Sequence, residues 1–180
     1  MRTVRWVRGS LRWGALLALS SALSIARAQS LGDEALAKAK IVTAMLRFVQ
    51  WPVASFEHPG SPIRLCVYTQ SQGIERAFQG YDRFAVGQRT LQLAFNPPAD
   101  APACHAAYLD GAAGPKGVRR EVDSPIFTVG TADGFIERGG MVEVVSFDNA
   151  LRFDVNLDAV RSAGLTINPG VLKLARHVKQ

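Results

Sequence analysis

Five side chains in the sequence are of the types that most often do chemistry, namely His58, His105, His177, Cys66 and Cys104. A catalytic histidine needs a nucleophile and an orienting group that converge on it. None of the three histidines lies in a recognised catalytic context. His105 follows Cys104 directly, but adjacent side chains of a strand point to opposite faces, so no thiolate–imidazole pair is expected. The sequence therefore predicts a protein that is not an enzyme.

Metal and cofactor motifs give the same answer. No His-x-x-x-His or clustered Cys/His spacing suggests zinc, and no Asp-rich loop has the spacing that calcium requires. The glycines Gly130, Gly134, Gly139 and Gly140 match neither a dinucleotide-binding fingerprint nor a P-loop. We therefore expect no metal and no cofactor. The pair Gly139-Gly140 before a strand indicates a tight turn or the close approach of another chain.

The first 28 residues have the pattern of a signal peptide. Four arginines precede an apolar run from Trp13 to Ile25 that is too short to span a membrane, and Ala26-Arg27-Ala28 is a small-x-small cleavage site. We expect export to the periplasm and cleavage after Ala28, which leaves residues 29–180 as one domain. An uncleaved anchor is the alternative.

Removal of this segment changes the charge of the protein. The whole chain has 21 Lys+Arg and 15 Asp+Glu, a formal net charge of +6. Residues 1–28 contain five of the basic residues and no acidic one, so the mature balance is 16 minus 15, or +1. Most of the basicity belongs to the segment that is removed. Nucleic acid is therefore not expected as a partner.

Both cysteines lie in the exported part, where an oxidising compartment allows them to pair. We expect one structural disulfide. The chain has no Cys-x-x-Cys spacing, yet a redox-sensing role for the pair stays open.

Hydrophobic periodicity and turn residues predict the elements of the first two thirds of the mature chain. These are a helix from Glu34 to Trp51, a buried strand Ile63–Tyr68, a short helix Ile74–Phe78, one or two strands within Phe84–Phe95 broken near Gly87, a buried strand Cys104–Leu109, a Gly/Pro-rich loop Gly111–Gly117 and a strand Ile126–Val129.

The last third predicts a β-hairpin of Met141–Phe147 and Leu151–Val155 around Asp148-Asn149-Ala150. Asn156 is suited to cap a helix Leu157–Ala163, Gly164 to end it, and Pro169 to start a terminal helix. The alternation of helices with buried strands favours the α/β class, as a single-domain three-layer sandwich with a mixed, partly parallel sheet and a C-terminal β-hairpin.

Arg152, Asp154 and Asn156 alternate with apolar residues along the second hairpin strand, so they share a face away from the apolar one. A polar stripe of this kind is typical of a solvated face. It is also suited to recognise a ligand or partner.

Several segments together resemble the YfiR family, in the right order over nearly the whole mature chain. They are Lys38–Ile41 with Phe48–Pro52, Leu65–Val67, Cys104–Tyr108, Thr128–Gly130 with Gly134–Glu143, Leu151–Leu157 and Ala163–Leu172.

The resemblance implies a compact periplasmic protein that restrains an inner-membrane diguanylate cyclase by contacting its periplasmic sensor region. An outer-membrane-associated partner draws such proteins off, which raises cyclic di-GMP and favours biofilm. The resemblance also implies a homodimer and a strand-linking disulfide between Cys66 and Cys104. A second disulfide of some members has no counterpart here, because no cysteine lies beyond Cys104.

Repression by contact needs a stable scaffold with an apolar patch rimmed by polar residues. We expect that patch near the C-terminal helices, at Leu165, Ile167, Val171 and Leu172, with Arg152 and Asn156 as polar contacts. The alternative for these apolar residues is the core.

Two other functions stay open. One is a periplasmic small-molecule binding module with a pocket at the strand ends. The other is a weakly recognisable hydrolase or oxidoreductase, which would require one of the histidines to converge with a carboxylate and a nucleophile.

Overall fold

The computed structural model describes residues 32–98, 100–111 and 125–180. The predicted signal peptide, residues 1–28, and residues 112–117 of the predicted Gly/Pro-rich loop lie outside these ranges. Within them, no helix is both long and apolar enough to cross a membrane.

Ten strands form two sheets in the described part of the chain, and eight of the strands build the main sheet. Its order is β10-β8-β7-β6-β5-β2-β4-β3, and β1 pairs with β9 separately. The strands are β1 Val49–Gln50, β2 Ile63–Tyr68, β3 Ala85–Val86, β4 Arg89–Phe95, β5 Ala106–Leu109, β6 Phe127–Gly130, β7 Val142–Phe147, β8 Ala150–Asn156, β9 Thr166–Ile167 and β10 His177–Lys179.

The main sheet is mixed. Strand β2 pairs in parallel with β4 and β5, and the parallel pairing continues through β6 to β7. The β3–β4 and β7–β8 pairs are antiparallel. This arrangement confirms the predicted α/β class with a partly parallel sheet and a hairpin towards the C-terminus.

Four α-helices accompany the strands within the residues that the structure describes. They are α1 over residues 32–45, α2 Gln72–Gln79, α3 Leu157–Ser162 and α4 Pro169–Leu172. Ser71 caps α2 by accepting a hydrogen bond from the backbone of Ile74, and Asn156 caps α3 as predicted. A polar cap of this kind stabilises a helix by about 1 kcal/mol.

The predicted first helix extends too far, because α1 ends at residue 45 instead of Trp51. A 3₁₀ turn, Leu46–Phe48, follows it, and Val49–Gln50 then pairs with Thr166–Ile167. Leu36, an apolar residue within the predicted helix, has a side chain that is 54% exposed. The buried face of α1 instead carries Ala35, Ala39, Val42 and Met45.

Helices cover one face of the main sheet. Alternate strand residues such as Leu65, Val67, Tyr108 and Phe127 project into a core that α1, α2, α3 and α4 also supply. Phe78 of α2 packs against Tyr108 with ring centroids 4.9 Å apart. This core contains most of the buried apolar area, which is the dominant source of stability.

The opposite face is covered by the loop between β6 and β7, which supplies Phe135 to a smaller cluster with Ala107, Leu109 and Ile126. Phe135 is fully buried. A Cβ at Gly140 would lie 2.1 Å from the Phe135 ring, and one at Gly130 would lie 2.4 Å from it. Gly140 therefore permits a close approach within the same chain, while Gly139, with φ +91°, supplies the turn.

The β7–β8 hairpin turns on two residues, since Phe147 is paired with Ala150. Asp148 and Asn149 both have positive φ, 49° and 57°, the backbone of a type I′ turn. Gly164, after α3, also has the expected left-handed conformation, with φ +71°. The predicted hairpin and helix end are confirmed.

The last strand, β10, was not predicted. The terminal helix α4 has only four residues, and the chain then forms His177–Lys179, which pairs in parallel with β8 at the edge of the sheet.

Candidate functional site

The two cysteines form a disulfide, as predicted. Cys66 lies within β2 and Cys104 lies just before β5, and these strands are parallel neighbours, so their Cα atoms are 5.9 Å apart. Both residues are buried. The bond thus ties together two central strands from within the fold.

The histidines do not converge on a catalytic group. His58 lies in the loop before β2, His105 directly before β5 and His177 at the start of β10. Among the described residues, none of the three forms a hydrogen bond or ion pair with a carboxylate. No group of three potential metal ligands occurs in those residues either.

His105 has a structural role that its sequence context did not indicate. Its Nδ1 accepts a hydrogen bond from the backbone N–H of Arg64 at 2.9 Å, and its Nε2 lies 2.9 Å from the carbonyl oxygen of Ser55. The Phe56 ring stacks on the imidazole with centroids 4.5 Å apart. Partial burial lowers the pKa of His105, and the positive charges of Arg89 and Arg64 lower it further, although the hydrogen bond with Ser55 opposes them.

The predicted polar stripe on β8 is only partly solvated. Arg152 is exposed, whereas Asp154 and Asn156 are buried, so the expectation of a solvated face is wrong for these two. Asp154 pairs with the guanidinium of Arg176, which is supplied by the segment before β10. Asn156 caps α3 and donates a hydrogen bond to the Ile136 carbonyl oxygen at 2.9 Å.

The predicted apolar contact residues lie mostly below the surface. Leu165, Ile167 and Val171 are each less than 5% exposed, while Leu172 is half-buried. The β1–β9 pairing explains part of this burial, because it places Ile167 opposite Val49. Partner binding therefore stays a prediction. Among the residues predicted for it, Arg152 and Leu172 have accessible side chains.

Exposed apolar side chains lie beside those two residues. Phe147 is 46% exposed and Leu174 is 69% exposed. Arg152 is a diagonal neighbour of Phe147 on the same face of the hairpin, because Val145 pairs with Arg152 and Phe147 pairs with Ala150. The Arg176 guanidinium lies 5.4 Å from the centre of the Phe147 ring. We use the name C-terminal surface for the accessible side chains of the hairpin end, Phe147 and Arg152, and of the segment from α4 to β10, Leu172, Leu174 and Arg176, which the Phe147–Arg176 contact joins.

A separate cleft of about 680 Å³ lies at the carboxyl ends of the parallel strands. It is lined by α1, by residues between Ser71 and Ala77 at the start of α2, and by Asp110, which follows β5. The Asp110 carboxylate accepts hydrogen bonds from Thr69 at 2.8 Å and from Tyr108 at 3.2 Å. Burial first, and then the Asp110 charge, raise the pKa of Tyr108, so its hydroxyl stays a donor.

Comparison with known families gives one match. The sequence model of the YfiR/HmsC-like family matches residues 36–176, which include nearly all of the described fold. No curated protein matches the chain significantly. The family match supports a periplasmic role in the regulation of cyclic di-GMP signalling. The chain belongs to the YfiR/HmsC-like family.

Proposed function

We propose that the mature chain is a periplasmic negative regulator that binds an inner-membrane diguanylate cyclase and restrains it, without catalysis of its own. Binding to the periplasmic sensor region of the cyclase lowers cyclic di-GMP and biofilm formation. The observation that carries the proposal is the C-terminal surface, in which the apolar side chains of Phe147 and Leu174 are exposed and two arginines, Arg152 and Arg176, lie next to Phe147.

The composition of this surface suits protein recognition. Large apolar side chains act as anchors in interface centres, and arginine is enriched there because its fork donates several hydrogen bonds. Arg176 is held in place by Asp154 and lies over Phe147, so the anchor and its charged neighbour are preorganised. A relieving partner associated with the outer membrane would compete for the regulator and release the cyclase.

Cyclic di-GMP in cells tests the function. We expect a strain that lacks this protein to contain more cyclic di-GMP than the wild type, and a strain that also lacks the partner cyclase to show no rise. An unchanged level in the single deletion contradicts the proposal.

Complementation of the deletion strain tests the surface. Leu174→Asp places a charge where an apolar contact is expected, so it should fail to lower cyclic di-GMP. Gln79→Asp introduces the same charge at an exposed position at the end of α2 and serves as the matched control. Full repression by Leu174→Asp, at an equal protein level, would remove the C-terminal surface from the proposal.

Export and assembly belong to the same proposal. We expect the periplasmic protein to begin at Gln29 after cleavage, which mass spectrometry of the purified protein measures. We also expect a homodimer of this mature chain, which light scattering after size exclusion distinguishes from a monomer. An intact N-terminus or a monomeric mass would each contradict the corresponding part.

The cleft at the strand ends supports a second candidate, a small-molecule binding module. The carboxyl ends of parallel strands are the usual position of ligand sites in α/β folds, and the volume lies within the usual range for such sites. A panel of small metabolites should then include one that raises the melting temperature of the isolated protein. Loss of that rise in Asp110→Ala, with the fold intact, would assign the ligand to the cleft.

A further inference from the structure

A single imidazole holds the loop between β1 and β2 against the sheet. This loop comprises residues 51–62, and we call it the β1–β2 loop. Both of its ends adjoin paired strands, because β1 pairs with β9 and β2 with β4. Between the ends, the 3₁₀ turn Val53–Ser55 contains no buried residue, and Val53 is 90% exposed. The loop therefore has few contacts with the rest of the protein, and His105 makes several of them.

Three contacts of the β1–β2 loop meet at His105. The indole N–H of Trp51 donates to the His105 carbonyl oxygen at 3.0 Å. The imidazole Nε2 lies 2.9 Å from the Ser55 carbonyl oxygen, and the Phe56 ring stacks on the imidazole. The other ring nitrogen, Nδ1, accepts the backbone N–H of Arg64 on β2. The neutral imidazole therefore links the loop to the sheet through both of its nitrogens.

A second proton on this ring does not fit the arrangement. Imidazolium has a donor at both nitrogens, so its Nδ1–H would face the N–H of Arg64, with 2.9 Å between the two nitrogens. The positive charges of Arg89 and Arg64 already act on the ring, and an imidazolium would be repelled by both. Opening of the loop would let water solvate the imidazolium. Protonation and opening therefore favour each other.

Other titratable groups near the imidazole do not offset this repulsion. Glu57 and His58 lie in the same loop, but both are exposed and neither is bonded to the ring in the described part of the chain. Strand β6 has no titratable side chain, and β4 has Arg89 alone. Tyr108 of β5 projects into the main core, where its ring packs against Phe78. Protonation of the imidazole thus adds a positive charge that no bonded carboxylate among the described residues compensates.

Two buried polar atoms beside this link also favour opening. Ser55 Oγ and Arg64 Nε are buried without a hydrogen-bond partner in the structure as described. A buried polar atom of this kind costs free energy, because it has lost its hydrogen bonds with water. Water can reach both atoms when the loop moves away from the sheet. The closed loop is therefore only weakly favoured, as is typical of segments that open locally.

We propose that the β1–β2 loop is a pH-sensitive switch, which opens when His105 is protonated in mild acid. The imidazole would gain a proton at Nδ1, lose its bond with Arg64 and leave its place between strand and loop. The rings of Trp51 and Phe56, which are half-buried in the closed state, would become exposed. The inference goes beyond the proposed regulation of a cyclase, because the switch needs no partner and responds to protons.

The sheet should stay folded while the loop opens. Cys66 on β2 is bonded to Cys104, the residue directly before His105, so the two strands remain joined without the imidazole. Burial first, and then the charges of Arg89 and Arg64, lower the pKa of His105 despite the hydrogen bond with Ser55. The closed state is therefore complete above the ordinary imidazole pKa of about 6.5 and is lost as the pH falls through the lower folded value.

Tryptophan fluorescence reports on this loop. Trp6 and Trp13 precede the predicted cleavage site, so Trp51 is the single tryptophan of residues 29–180. Acrylamide quenching of the mature protein would be measured from pH 7.5 to pH 4.5 at constant ionic strength, with far-UV circular dichroism on the same samples. We expect the quenching constant to rise at least about twofold in a one-proton transition, because opening exposes the indole. The circular dichroism should not change over that transition.

Matched variants assign the transition to one histidine. His105→Asn cannot titrate at this position, so its quenching constant should be independent of pH. His58→Gln removes the exposed histidine of the same loop and should keep the wild-type transition. Urea unfolding at pH 7.5 shows whether both variants fold.

A charge variant tests the repulsion even where His105→Asn does not fold. Arg64→Gln keeps the backbone N–H that binds Nδ1 but removes one positive charge, so the ring is protonated more easily. Its transition should therefore lie at higher pH than that of the wild type. Arg161→Gln removes the same charge at an exposed position on α3 and should leave the transition in place.

Any of four results would overturn the proposal. They are quenching that does not change with pH, a rise that occurs only together with loss of the circular dichroism signal, a transition that persists in His105→Asn or disappears in His58→Gln, and equal transitions in Arg64→Gln and Arg161→Gln. The assay contains no cyclase, so failure here leaves the proposed regulatory function untouched. A protein without effect on cyclic di-GMP would, in turn, leave this assay unchanged.

Discussion

His105 accepts a hydrogen bond at Nδ1 from the backbone N–H of Arg64, with 2.9 Å between the two nitrogens. The other ring nitrogen, Nε2, lies 2.9 Å from the Ser55 carbonyl oxygen and must carry the proton that is donated there. The neutral ring thus joins β2 to the loop that precedes it. Protonation of Nδ1 would remove the acceptor and place a third positive charge near Arg64 and Arg89.

This arrangement predicts a loss of stability in mild acid. The folded pKa of His105 lies below its ordinary value, so folding favours the neutral ring. Its contribution is therefore complete above the unfolded pKa of about 6.5 and is lost as the pH falls through the lower folded value. Urea unfolding between pH 7.5 and pH 5 should show a steady decrease in the free energy of unfolding.

His105→Asn provides the control for this pH dependence. Its Oδ1 accepts a hydrogen bond near the position of Nδ1 but does not titrate, and it loses the bond with Ser55. We expect the variant to be less stable by about 1–2 kcal/mol at pH 7.5 and to lose less stability on acidification. An equal slope in both proteins would show that other groups cause the acid sensitivity.

Removal of the disulfide should destabilise the fold strongly. Cys66 and Cys104 are 38 residues apart in the chain, and closure of a loop of that length stabilises the folded state by roughly 4 kcal/mol through the entropy of the unfolded chain. The double variant Cys66→Ala with Cys104→Ala should show this loss in chemical unfolding. Addition of a reductant should destabilise the wild type and leave the double variant unchanged.

Replacement of Asn156 should lower the free energy of unfolding substantially, although this residue carries no charge. Asn156→Ala removes both the cap of α3 and the hydrogen bond to Ile136, so we expect a loss of about 2 kcal/mol. Asn156→Asp keeps an oxygen for the cap but cannot donate to the carbonyl, and should give an intermediate loss. Equal stability of the two variants would indicate that the cap contributes little.

The contact of Phe135 with Gly140 predicts a coupled pair of substitutions. Gly140→Ala places a methyl group within 2.1 Å of the ring, so we expect a loss of at least about 2 kcal/mol. In a Phe135→Ala background the ring is absent and the additional loss should be smaller. A double-mutant cycle measures this difference, and additive losses would contradict the contact.

The parts of the fold that depend on local pattern were predictable. The strand Ile63–Tyr68 has the predicted bounds, and the β7–β8 hairpin turns at Asp148 and Asn149, within the three residues predicted for the turn. The errors concern pairing between distant segments. Val49 continues the apolar spacing of α1, but Val49–Gln50 forms strand β1 because it pairs with β9. The segment His177–Lys179 forms strand β10 because it pairs with β8 at the edge of the sheet.

The candidate site was also predictable where it depends on local pattern and not where it depends on distant segments. The disulfide was predicted from the compartment and the family resemblance, and it is present. The polar stripe was expected to be solvated, because the alternation of residues along a strand shows which side chains share a face. It does not show which distant segments cover that face. Asp154 and Asn156 are buried by Arg176 and by the β6–β7 loop, which lie 22 and 20 residues away in the chain.

The small β1–β9 sheet constrains when this chain can finish folding. Val49 is paired with Ile167, and the two residues are 118 positions apart (167 minus 49). A ribosome or translocon delivers the N-terminal residues first, so β1 must wait for nearly all of the domain to emerge before its partner exists. Such distant contacts slow folding. The same delay would keep the chain incompletely folded while it crosses a membrane. The native structure would then form only after the last strands have emerged.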